Sequence, residues 1–93
     1  MNNKNLNKIR LKLDKLDIKL LSLIKKRTIL VDKVLRTKKY KSQIIDKKRI
    51  NKILKNIRKK SKRIGIDVEI TQKIWKAMIR AYIDYEFKNF DKK

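Results

Sequence analysis

The feature that most constrains this chain is an unbroken stretch from Leu6 to Lys38, free of proline and glycine, in which apolar residues return at three- and four-residue steps. Leu6, Ile9, Leu13, Leu16, Leu20, Ile24, Val31 and Val34 form that series, the pattern of one face of a long amphipathic helix. The stripe is not purely apolar. Turning each residue through about 100° puts Arg27 and Lys38 on the same face as Leu13, Leu20 and Val31, with Arg10 at its edge. A packed stripe excludes charge unless the charge has a partner. The three cations are therefore candidate ligands for an anion held at the packing face.

The rest of the chain supplies two shorter helices. Asn5 is a candidate N-cap for the long helix, which spans about residues 5–38, and the periodicity is lost across a connection at 39–45. Asp46 opens a second helix, about 46–63, with Ile50, Ile53, Leu54 and Ile57 on one face; Gly65, the single glycine, sits where a helix C-cap wants it. Asp67 opens a third, about 67–90, whose Ile70, Ile74, Trp75, Met78, Ile79, Tyr82 and Tyr85 make a broad apolar face that reads as core. Nothing reads as a strand. The expectation is an all-α fold, one helical domain over residues 1–93 with one long and two shorter helices. The polar segment from Tyr40 to Ile44, next to Lys38, reads as a candidate mobile lid.

At about 1.5 Å per residue the first helix runs some 50 Å, too long for two shorter helices to cover its stripe. The spacing therefore predicts an intertwined homodimeric helical bundle in which two long helices pack together, each covered by shorter helices of both chains. Arg10 lies about 25 Å from Arg27 along one helix. In an antiparallel pair, Arg10 of one copy approaches Arg27 and Lys38 of the other, giving two equivalent sites, each completed in trans.

Composition narrows the chemistry. Lys and Arg number 30 against 9 Asp and Glu, a net charge of +21, which favours nucleic acid, an acidic membrane surface or a small polyanion as partner. Much of the lysine, together with abundant Ile and Asn, is what AT-rich codons supply. Lysines lie on nearly every exposed face and the few aromatics lie on apolar ones, so any nucleic-acid affinity should be non-specific and steeply lost with salt. There is no Cys and no His, which removes thiol and imidazole nucleophiles, disulfides and the commonest transition-metal ligands. No metal or cofactor is expected. No apolar run reaches membrane-spanning length and no signal-type core opens the chain, so the default location is the cytoplasm, with no membrane partner.

The series Arg10-x-x-Leu13-Asp14-x-x-Asp17-x-x-Leu20-Leu21-x-Leu23-Ile24-x-x-Arg27, then Lys38, then Asp46-x-x-Arg49, then Gly65-Ile66-Asp67, resembles the all-helical class of chorismate mutases over roughly residues 6–87. The resemblance implies conversion of chorismate to prephenate in aromatic amino acid biosynthesis. This is a pericyclic rearrangement needing neither nucleophile nor metal, and a chain without His or Cys can perform it by holding a dicarboxylate in its reactive shape. It also implies roles for particular residues. Arg27 and the trans Arg10 would bind carboxylates, Lys38 would reach the ether oxygen and a carboxylate, Arg49 would add to the positive wall and Asp46 would sit near the ring hydroxyl.

Two positions depart from the family's common pattern. Ile50 follows Arg49 where the family usually has a glutamate that accepts from the ring hydroxyl, and Glu86 stands where many members have a glutamine that donates to the ether oxygen. A glutamate donates only when protonated, so activity is expected to rise at mildly acid pH. Ile50, with Tyr82 in the last helix, also resembles the isochorismate-pyruvate lyase branch of the same fold, which forms salicylate and pyruvate. That activity is the alternative.

Overall fold

A computed structural model describes residues 3–92. Along the chain they form α1 (Asn3–Thr37), a 3-10 turn at Lys41–Gln43, α2 (Lys47–Ile64), α3 (Val68–Asn89) and a closing 3-10 turn at Phe90–Lys92. The described residues contain no strand, and the fold is all-α. No helix among them is long and apolar enough to cross a membrane.

Each boundary has a local cause. Asn5 lies inside α1 and is not its cap, because nothing at Asn3 or Lys4 breaks a helix. It ends at Thr37, where the Thr37 hydroxyl donates to the Val34 carbonyl (2.6 Å) and the Lys38 N–H donates to the Leu35 carbonyl (3.1 Å). Lys38 is thus the first residue beyond the helix and not its last. Asp46 caps α2 by accepting from the Arg49 N–H (3.0 Å), and Asp67 caps α3 by accepting from the Glu69 N–H (2.8 Å). Gly65 ends α2 in the left-handed conformation, φ 76°, which lets the Ile66 N–H reach back to the Ser61 carbonyl (2.9 Å).

The chain divides into two units, one up to Lys33 and one from Val34 onward. The first is the greater part of α1. Its stripe residues Leu13, Leu16 and Leu20 are each more than half exposed, so within the unit nothing covers the face that the periodicity marks for burial. The second unit is built on the α2–α3 hairpin. Its arms are joined by buried polar contacts: the Ser61 and Thr71 hydroxyls lie 2.7 Å apart, and the Gln72 amide donates to the Leu54 carbonyl (3.0 Å). Ser61 also donates to the Ile57 carbonyl (2.6 Å), so both hydroxyls are satisfied where burial requires it.

Leu35, 3% exposed, and Ile44, 4% exposed, are the only buried hydrophobic residues among those described. The broad apolar face expected on α3 is only partly covered. Trp75, Met78 and Ile79 are half-buried, while Ile70 and Ile74 are exposed. A single chain of this size offers too little surface to enclose three apolar faces, and so little apolar burial does little to offset the entropy of ordering the chain.

Candidate functional site

The site starts from a buried charge. Glu86 lies in the last turns of α3, and its carboxylate Oε2 is 2.8 Å from the Nζ of Lys38, the residue that follows α1. The two side chains are only 10% and 16% exposed. A carboxylate withdrawn from water this far needs a cation or donors beside it, and Lys38 provides both. Lysine carries three N–H donors, so one bond to Glu86 leaves two for another acceptor. Tyr82, one helical turn before Glu86, is half-buried and meets Tyr85 edge-on, ring centres 6.4 Å apart at 84°.

Beside Lys38 opens a hollow of about 560 Å³, lined by Thr37, Lys38, Gln43, Ile45, Asp46 and Lys47. The 3-10 turn between α1 and α2 shapes it. Buried Ile44 anchors that turn from below, and the Gln43 side-chain oxygen accepts from the backbone N–H groups of Lys39 (2.6 Å) and Tyr40 (2.9 Å). One oxygen of Asp46 is engaged by the Arg49 N–H, at the start of α2. The segment expected to act as a lid holds one buried side chain, Ile44, among exposed residues Tyr40 to Gln43.

The expected site residues fall into three groups. Lys38 is in contact with Glu86 and shares the hollow with Asp46. Arg49, Ile50 and Tyr82 belong to the same unit but do not line the hollow: Arg49 is exposed, and Ile50 is half-buried among the apolar residues of α2. Arg10, exposed, and Arg27, half-buried, are carried by α1 within the first unit. Sequence reasoning missed Gln43, Thr37, Ile45 and Lys47. Only Gln43 left a signal, as an amide placed three residues after Tyr40, the spacing at which a side chain can reach back to unsatisfied backbone N–H groups. Among the described residues no cluster of Asp or Glu is arranged to hold a metal ion.

The sequence model of the family described as chorismate mutase type II matches residues 9–87. The chain belongs to that family. As a type II chorismate mutase domain it takes in every candidate residue from Arg10 to Glu86, including both ends of the buried ion pair. Membership supports chorismate mutase chemistry in general and implies chorismate as the substrate. Comparison with curated proteins and with solved structures returns no match.

Proposed function

We propose that this chain is a chorismate mutase that rearranges chorismate to prephenate, the dicarboxylate precursor of aromatic amino acids, in a cationic site completed by a second copy of the chain. The observation that carries this reading is the Lys38–Glu86 pair at the edge of an open, donor-rich hollow, inside the matched family region. The rearrangement breaks a carbon–oxygen bond as it forms a carbon–carbon bond, and negative charge grows on the departing ether oxygen. The two unspent Lys38 donors stabilise that charge and hold a carboxylate, an effect largest in a site shielded from water. Glu86 holds the Lys38 ammonium in place and, when protonated, donates to the same ether oxygen.

Arg27, and Arg10 from a second copy, grip the substrate carboxylates with planar guanidinium forks. Arg49 adds positive potential, and Asp46 accepts from the ring hydroxyl. The uncovered Leu13, Leu16 and Leu20 support the homodimer, because a contiguous apolar stripe of this kind marks a surface that associates. The site needs no metal or cofactor, and the protein works in the cytoplasm.

One observation favours the second reading, isochorismate-pyruvate lyase: Ile50 is an aliphatic residue where a hydroxyl-accepting carboxylate is the common pattern. Purified protein given chorismate and isochorismate separately decides between them. Prephenate from chorismate, with little salicylate from isochorismate, is the expected result; the reverse establishes the lyase. Arg27→Ala should abolish turnover while circular dichroism and sedimentation show an unchanged helical dimer. Activity that survives this change refutes the role given to α1.

A further inference from the structure

The polar lining of the hollow contains one side chain whose hydrogen-bonding capacity is half used in a way that fixes the other half. The Gln43 oxygen faces two backbone donors, the N–H groups of Lys39 and Tyr40 at 2.6 Å and 2.9 Å. An amide NH2 could not occupy that place, since it would meet donors with donors, so the orientation of the amide is set by its partners. Both lone pairs of the oxygen are then engaged. What remains is purely a donor, the NH2 group of an exposed residue, and it makes no hydrogen bond among the described residues.

The backbone below holds that donor in position. The Gln43 N–H is bonded to the Tyr40 carbonyl (3.0 Å), and the next residue, Ile44, is buried and bonded to the Lys41 carbonyl (3.0 Å). A long flexible side chain is thereby pinned at its root and at its oxygen, so little rotamer freedom is left to lose on binding a ligand. The other groups around the hollow have complementary capacities. The Thr37 hydroxyl is already committed to the Val34 carbonyl, and one Asp46 oxygen to the Arg49 N–H. Lys38 keeps two donors, and the second oxygen of Asp46 keeps its acceptor capacity. Two donor groups, Lys38 and Gln43, and one acceptor, Asp46, line the same hollow and suit a molecule that carries a carboxylate and a hydroxyl.

We propose that the side-chain amide of Gln43 is a substrate-binding group that donates, together with the Lys38 ammonium, to one carboxylate of the dianionic substrate. The inference rests on the reading of the chain as a chorismate mutase. Because that carboxylate is charged equally in substrate and transition state, the bond strengthens binding of both and acts on KM more than on kcat.

Gln43→Glu is the informative change, since a carboxylate still accepts from Lys39 and Tyr40 and preserves the turn but has no donor. It should raise KM for chorismate by about 10- to 100-fold, the range for a lost hydrogen bond to a charged group, with kcat within about twofold. Nuclear magnetic resonance gives a readout independent of the new charge. The chain has two glutamines, and Gln72 spends its amide on the Leu54 carbonyl, so it serves as the internal reference. Titration of the 15N-labelled wild-type protein with prephenate should move the Gln43 NH2 resonances and leave those of Gln72 in place. A Gln43→Glu enzyme with wild-type KM, or Gln43 NH2 resonances that stay fixed while backbone resonances around Lys38 shift, overturns the proposal and leaves the mutase reading standing. A wild-type protein that turns over neither chorismate nor isochorismate overturns both.

Discussion

α2 and α3 are the two arms of one hairpin, similar in length, and they carry charge in opposite ways. α2 holds ten cations and no acid in 18 residues; α3 holds four cations and three acids in 22. On α2 the charge is all outside. Lys48, Lys52, Lys55, Lys59 and Lys62 are exposed and fall within about 80° of one another on the side away from Ile50, Ile53, Leu54 and Ile57. On α3 the informative charge is inside, at Glu86, paired with Lys38. Most of the net charge of +21 sits where water already solvates it, whereas the candidate site is built on the desolvated Lys38–Glu86 pair. The strength of a charge interaction follows from how far its members are removed from water, and the number of charges says little about it.

The comparison breaks first, and most visibly, at the buried pair. Lys38→Ala removes the cation that faces both Glu86 and the hollow. Turnover should fall by at least about 100-fold, as expected for loss of a preorganised group at developing charge. Stability should fall by about 3 kcal/mol, because Glu86 is left buried without its partner. Urea denaturation at fixed protein concentration measures the second effect. A loss below about 1 kcal/mol would mean that the pair behaves like an exposed one, and α3 would then differ from α2 only in composition.

Glu86→Gln is the milder change. The amide oxygen still accepts from Lys38, and the amide NH2 adds a donor that a carboxylate lacks. The kcat/KM of Glu86→Gln should therefore equal or exceed that of the wild type. A fall of about tenfold or more would mean that the negative charge of Glu86 is needed to hold Lys38 in place.

What the sequence made legible follows the same division. The three helices, the caps at Asp46 and Asp67 and the glycine stop at Gly65 are local events, set by residues within a few positions of each other, and each is present. The pairing of Lys38 with Glu86 joins positions 48 apart, and only the family resemblance pointed to it. What completes the cover of Trp75 and Met78, half-buried within the chain, is not written in periodicity, which marks a face for burial without saying what buries it. Gln43 was missed because its role depends on how a short irregular turn closes, and no repeating pattern records that geometry.

The smallest expected effect tests the other arm. Neutralising Lys55 and Lys59 together, as Lys55→Gln and Lys59→Gln, removes two like charges at i and i+4 on the exposed face of α2. Neither side chain has an ion pair or hydrogen bond among the described residues. Glutamine matches lysine closely in helix propensity, so the change is almost purely electrostatic. Like-charge neighbours at this spacing destabilise a helix by a few tenths of a kcal/mol, and relief of that repulsion should leave the melting temperature unchanged or slightly raised. The gain should shrink as salt is added and screens the repulsion that remains in the wild type. A fall in melting temperature would mean that these lysines make stabilising contacts in the assembled protein, and the charge of α2 could no longer be treated as external.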